Sequence, residues 1–293
     1  MKRTAKGRLA WTVTVALAVS IAGALPALAR DAETAASGSP RLLASDTAAG
    51  ADPIPFWGQV ECEQGSRHEL VSGGGDTHPT ATGEPQGNSS FRRIRVLDGD
   101  DFWGERCELG DNWASGPTAF YREGRRRITA ISLRLPPGFP VNAHTWQVVM
   151  QMKQAQPSAN GGGSPALELQ VFNGQWRLNQ SGSTGLTSDS RKIWTWPART
   201  GVWTRFSFDI RYSRSPRKGR IKVIADLNGD GDYLDAREGK RKRKTFTLKR
   251  QLHRRSASVP SHLRAGIYHD PAIDCPPPAG CQIDIDNVQV LAP

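Results

Sequence analysis

Apolar residues in this chain recur at every second position, run after run, and nowhere sustain the spacing of a long helix. Around Trp146 the set Trp146, Val148, Met150 and Met152 alternates with Gln147, Val149, Gln151 and Lys153. Leu167, Leu169 and Val171 repeat the pattern around Glu168 and Gln170. Val202, Thr204, Phe206, Phe208, Ile210 and Tyr212 alternate with Trp203, Arg205, Ser207, Asp209 and Arg211; Ile221, Val223 and Ala225 follow, and Gln282 to Val290 closes the chain. A strand throws successive side chains to opposite faces, so each run reads as a strand with one face turned to a core. Between the runs lie turn signals: Asn160-Gly-Gly-Gly, Asn173-Gly174, Pro216 to Gly219 and Asn228-Gly-Asp-Gly. Short strands with this punctuation predict an all-β sandwich or jelly roll. No internal repeat of fixed period is visible.

The ends of the chain set the compartment. Lys2, Arg3, Lys6 and Arg8 head a mostly apolar stretch from Leu9 to Leu25, and Ala27-Leu28-Ala29 forms a small-residue cleavage site. Residues 1–29 therefore read as a secretory signal peptide rather than a membrane anchor, because no second apolar run is long enough to span a bilayer. Residues 30–52, rich in Ala, Ser, Thr, Gly and Asp without a period, read as a disordered lead-in. Residues 53–293 remain for one β domain with ample length for a large core. The formal net charge is +11; without the four basic residues of the signal peptide, 35 Lys and Arg stand against 28 Asp and Glu, or +7. A basic exported protein suits an acidic partner. Four cysteines in such a chain imply two disulfides, with three connectivities open. A local Cys275–Cys281 bridge would close the turn Pro-Pro-Pro-Ala-Gly, leaving Cys62 to pair with Cys107. No C-x-x-C spacing supports a metal or catalytic role for them.

Three strands stand out because their polar side chains fall on alternate positions. In Arg106-Cys-Glu108-Leu109, Gln151-Met-Lys153 and Arg264-Ala-Gly-Ile-Tyr268, parity places Arg106 with Glu108, Gln151 with Lys153, and Arg264 with Tyr268. Were these strands neighbours, two guanidiniums, an amide, an amine and a phenol would share one concave surface. Singly, each is an ordinary strand residue, and Arg106 with Glu108 is an exposed pair worth ~0.2–1 kcal/mol. Trp194 and Trp196 share a strand face and either stack on sugar rings or fill the core. Asp226, Asn228, Asp230 and Asp232 place oxygen atoms as the front of a calcium loop would. A plain hairpin explains the same residues, and the EF-hand spacing fails because Arg237 stands where the closing glutamate belongs. The run Lys240-Arg-Lys-Arg-Lys244 is a solvated loop or a grip for a polyanion; it lacks interleaved aromatics, so nucleic acid is not an expected partner.

In order and content, the three polar strands resemble the polysaccharide lyases of the alginate lyase and heparin lyase I type. Alginate lyases carry R-x-E-L, Q-I-H and K-A-G-x-Y in that sequence. Gly201-Val-Trp-Thr-Arg-Phe, Ala225-Asp-Leu-Asn-Gly-Asp-Gly and Asp284-Ile-Asp-Asn-Val-Gln-Val are similar to the heparin lyase I group, so the likeness covers residues 57–293. It implies a concanavalin-like β-jelly roll with a concave substrate cleft, secreted and monomeric, needing no cofactor and binding an acidic polysaccharide rather than nucleic acid or membrane. The implied activity is β-elimination on a uronic-acid polymer, heparin-like, glucuronan or alginate. Arg106 and Gln151 would neutralise the carboxylate and Tyr268 would protonate the leaving oxygen and, in a syn elimination, take the proton. Glu108, Arg264, Trp194 and Trp196 would contact substrate, with Lys153 and Arg264 as electrostatic support. The family's histidine is Lys153 here and its lysine is Arg264, so the histidine-as-base role does not transfer. His269 lies on the opposite strand face from Tyr268. A non-catalytic binding protein on the same scaffold, or a general polyanion binder, is the alternative.

Overall fold

The alternation in the sequence is realised as strands throughout the computed structural model, which describes residues 40–48, 50, 52–77, 90–110, 121–154, 165–180, 190–226, 248–249 and 260–293. In chain order they are β1 (Arg41–Asp46), β2 (Val60–Cys62), β3 (His68–Val71), β4 (Phe91–Val96), β5 (Arg106–Gly110), β6 (Arg126–Arg134), β7 (Gln147–Gln154) and β8 (Leu167–Phe172). There follow β9 (Gln175–Gln180), β10 (Arg191–Pro197), β11 (Trp203–Arg211), β12 (Arg220–Asp226), β13 (Leu248–Lys249), β14 (Ser261–His269) and β15 (Cys281–Ala292). A single helical turn, α1 (Ile54–Trp57), precedes β2.

The strands form two antiparallel sheets. The back sheet has eight strands in the order β13-β12-β11-β6-β15-β4-β3, with β1 added along β15; the front sheet has seven, in the order β10-β9-β8-β7-β14-β5-β2. Their facing sides bury the apolar half of each alternation. Phe206, Phe208 and Ile210 of β11 and Ile131 and Leu133 of β6 meet Met150, Met152, Leu169, Leu263 and Ile267 from the front sheet. Each large apolar side chain removed from water contributes about 1.5–3 kcal/mol. Trp176 packs edge-on to Phe206 with ring centroids 5.2 Å apart. The Asn173-Gly174 turn joins β8 to β9 with both residues at positive φ (49° and 72°), the backbone a two-residue hairpin requires.

Three expectations need correction. First, part of the stretch read as a disordered lead-in is β1, paired to β15 from Arg41↔Ala292 to Asp46↔Val288. Asp46 anchors its end by accepting from the Trp57 indole (2.6 Å) and the Arg92 guanidinium (2.6 and 2.9 Å). Six residues carrying one buried side chain hold no period for a sequence pattern to show. Second, β7 does not alternate cleanly. A bulge between Val148 and Met150 puts Val148 opposite Tyr268, on the outer face, and leaves Val149 in the core beside Met150 and Met152. Third, Trp194 is a core residue, 4 % exposed and edge-on to Phe206 at 6.3 Å, and Trp196 packs half-buried against the same core. Neither presents a ring to the outer face of the front sheet.

Both expected disulfides are present, Cys62–Cys107 and Cys275–Cys281. The first joins register partners on β2 and β5. No helix among the described residues is long and apolar enough to cross a membrane.

Candidate active site

The three polar strands are immediate neighbours in the middle of the front sheet, in the order β7-β14-β5. Register fixes what meets what. Tyr268 lies opposite Arg106 on one side and Val148 on the other, and Arg264 lies opposite Gly110 and Gln151. Two glycines permit this approach. A Cβ on Gly266, opposite Glu108, would fall 2.2 Å from the Cys107 carbonyl oxygen; one on Gly110 would fall 2.6 Å from Cγ of Arg264. The glycine of Arg264-Ala-Gly266-Ile-Tyr268 is thus a packing requirement between β14 and β5.

The outer face of these strands carries a buried charge network. Arg106, Glu108, Gln151 and Arg264 are all almost fully covered, so Arg106 and Glu108 do not form the exposed pair weighed as the alternative to a cleft role. Glu108 is the hub. Its Oε1 accepts from Gln151 Nε2 at 2.6 Å, and its Oε2 is shared by Arg264 (3.3 Å) and Arg106 (3.4 Å). Arg264 also pairs with Glu61 of β2. Burial, Arg264 and Arg106 together push the Lys153 ammonium down to about 8, with Glu108 and Glu61 acting against them. Burial pushes Glu61 up to about 7; Arg264 opposes that and Glu108 reinforces it. At neutral pH three cations (Arg106, Lys153, Arg264) thus face two carboxylates (Glu61, Glu108), a net positive balance that is lost as Lys153 gives up its proton above about 8. One strand further, Glu168 accepts from Gln170 (2.8 Å) and Asn179 (3.1 Å), and Asn179 accepts from Arg177 (2.9 Å).

The predicted set falls into two ends of one surface. At the first end the Arg106 guanidinium lies 3.7 Å from the Tyr268 ring centroid, and Trp146 meets that ring edge-on at 4.7 Å. Arg106 donates to the Trp103 carbonyl at 2.8 Å. The second end holds Gln151, Arg264, Glu61 and Lys153, with Lys153 opposite His262. His262 and Tyr268 are separated along β14 by roughly 20 Å of backbone at ~3.3 Å per residue. The cation against the Tyr268 ring is Arg106.

A family model described as Polysaccharide lyase matches residues 64–288. The chain belongs to the polysaccharide lyase family. This lyase is similar in fold to two solved structures. One is an endo-β-1,4-glucuronan lyase from the fungus Trichoderma reesei, at TM-score 0.60 and 15 % identity over 86 % of this chain and 96 % of that one. The other is the PL-14 alginate lyase from Aplysia kurodai, at TM-score 0.51 and 11 % identity over 86 % of this chain and 99 % of that one. No curated protein sequence is significantly similar to it.

Two residues of the lyase's site face escaped sequence reasoning. Glu61 had a signal in the disulfide: if Cys62 pairs with Cys107 inside the sandwich, Glu61 must share the other face with Glu108, and it does. Trp103 had none. It is 67 % exposed, sits at φ 57°, and has its carbonyl tied to Arg106. His269 is buried as expected on the opposite face, 3.3 Å from Cys275 Sγ. The group His269, Cys275 and Cys281 brings ligand-type atoms together, but both sulfurs are locked in the disulfide and offer no thiolate to a metal. Of the calcium-loop residues, Asp226 is buried at the end of β12; Asn228, Asp230, Asp232 and the run 240–244 lie outside the described residues.

Proposed function

We propose that this lyase cleaves a glucuronate-type polymer by syn β-elimination, outside the cell, with Tyr268 as both base and acid. The observation that carries the proposal is the Arg106 guanidinium 3.7 Å from the Tyr268 ring, over a network with surplus positive charge. A uronate bound with its carboxylate on Arg106 has the charge on that carboxylate offset, which acidifies the proton on the adjacent carbon. The Tyr268 oxygen, entering as the phenolate, takes that proton as its C–H bond breaks. The electron pair forms the C4–C5 double bond, the C4–O4 bond breaks, and the phenol returns the proton to the leaving oxygen. One residue suffices because the proton and the leaving oxygen lie on the same face in glucuronate. In guluronate they lie on opposite faces, which disfavours it as substrate.

The remaining polar groups have positioning and binding roles. Gln151 is spent on Glu108, so it fixes the hub and leaves the reacting carboxylate to Arg106. Lys153, at the other end, binds the carboxylate of a neighbouring sugar, and the exposed Trp103 ring offers a platform for a sugar face. Two disulfides fit an oxidising compartment and support export. Calcium at Asp226 and its neighbours remains a proposal to be read by metal titration of the chain. One observation favours a second reading, binding without turnover: Arg106 already has Glu108 and the Trp103 carbonyl as acceptors. The deciding experiment follows ultraviolet absorbance of the unsaturated product with glucuronan, alginate, heparin and heparan sulfate. A rise on glucuronan supports elimination and its substrate; binding with no rise on any polymer replaces it with the second reading.

A further inference from the structure

A backbone bridge joins the strand at the Lys153 end of the site to a strongly cationic edge of the back sheet. Tyr121 bridges Ser261, the residue before His262, through a Ser261 N–H to Tyr121 carbonyl bond of 2.8 Å. Arg122 follows directly. From there residues 121–127 and 209–222 are stitched into one surface: Gly124 donates to the Tyr212 carbonyl at 2.8 Å and Tyr212 to the Arg125 carbonyl at 2.9 Å. Among these described residues, ten Lys and Arg stand against two carboxylates. Asp209 is taken by a two-bonded pair with Arg126 (2.8 and 2.7 Å), and Glu123 accepts from Ser213 and the Arg214 backbone. Register sets Arg211 directly between Arg126 on β6 and Arg220 on β12. Burial, Arg125 and Arg41 together hold the Arg127 guanidinium below the ordinary arginine value.

We infer that this edge is a second polyanion-binding surface, which holds the uronate polymer after it leaves the active site at the Lys153 end. The inference rests on the proposed substrate class. Neighbouring strands are roughly 4.8 Å apart, the scale of one sugar unit, so the row of arginines suits a chain with one carboxylate per sugar. Nucleic acid fits less well: the aromatic rings here, Tyr121 and Tyr212, are buried against one another at 5.0 Å and offer no base a stacking face. Holding a polymer at the edge raises its local concentration at the active site without adding to the chemistry.

The test uses the full chain. Arg217, Lys218 and Arg220 are all exposed and lie outside the site, and their joint replacement by Glu reverses the charge of the edge. Affinity for glucuronan polymer, measured at low salt on a Tyr268→Phe background so that nothing is cleaved, is expected to fall ~10-fold or more. In the active chain, KM for polymer rises while kcat/KM for a short glucuronan oligosaccharide stays constant. The matching triple Gln variant, with melting temperature as the folding check, is expected to fall between the two. Unchanged polymer affinity in the Glu variant overturns the inference, as does equal edge-dependent binding of duplex DNA or of anionic vesicles. Because binding is read without turnover, absence of elimination on every uronate would count against the proposed function and not against the edge.

Discussion

The outer faces of the two sheets both bury arginines and carboxylates, yet they are built differently. On the back sheet the pairs are matched and short: Arg205 to Asp76 at 2.7 Å with Ser132 donating to the same carboxylate at 2.6 Å, and Arg92 to Asp46 at 2.6 and 2.9 Å. Asp284 takes Arg93 at 2.7 Å and Arg134 at 2.9 Å. These are the lengths of strong charge-assisted bonds. Here four arginines (Arg92, Arg93, Arg134, Arg205) face four carboxylates (Asp46, Asp76, Asp284, Asp286). Burial pushes Asp286 up to about 7, and nearby Asp76 and Asp46 push the same way. On the front sheet Arg106 and Arg264 share one oxygen of Glu108 at 3.4 and 3.3 Å, and the surplus is cationic. Around that shared acceptor, Glu61 with Arg264 and Gln151 with Glu108 are tightly bonded. A network closed at ideal lengths holds a sheet; one held loosely around a shared acceptor has cations to give to an incoming carboxylate.

The comparison breaks most plainly at Tyr268. Tyr268→Phe is expected to lower turnover of glucuronan by ~10²–10⁴-fold while polymer binding survives, read by product absorbance and by equilibrium binding. A variant with undiminished turnover would remove the front face from catalysis altogether. Next in size, Arg205→Leu leaves the Asp76 carboxylate buried without its guanidinium and should cost about 3–5 kcal/mol in urea unfolding. The chain that remains folded should keep its KM. Arg264→Leu would sharpen the contrast, because its loss should show in KM as well as in stability.

A smaller effect is expected at Lys153, and its sign is fixed by ionisation. With its ammonium held down to about 8, the residue is a cation below that pH and neutral above it. KM for polymer should therefore rise as pH passes through about 8, by ~10-fold if one charge-assisted bond is lost. Lys153→Arg, which stays charged, should flatten that rise; a rate that instead climbed through the same pH would make Lys153 the base. The smallest change is expected for Trp103→Ala, a several-fold increase in KM with kcat unchanged, from loss of ~0.5–1.5 kcal/mol of ring stacking.

Much of this was legible in residue order. The alternation around Phe206 and Phe208 fixed a core face, and parity alone puts Arg106 with Glu108 and Arg264 with Tyr268, as the register has them. The cysteines paired as expected: Cys275 and Cys281 close the five-residue turn between them, which left Cys62 for Cys107. What failed did so for local reasons. Periodicity cannot see the bulge at Val149, where one extra residue turns Val148 outward, nor tell a core tryptophan such as Trp194 from a sugar platform. Trp103 lies outside any strand, so no period pointed to it.

The sequence alone determined which side chains share a face, because strand parity depends only on counting along the chain. It also determined the turn at Asn173-Gly174, which reaches positive φ from its own chemistry. Only the tertiary structure decided which strands are neighbours and in what register, because pairing between residues 106 and 268 depends on the closing of a long intervening chain. That pairing set Arg106 against Tyr268 and Lys153 against His262, and the burial that follows from it pushed Lys153 down and Glu61 up.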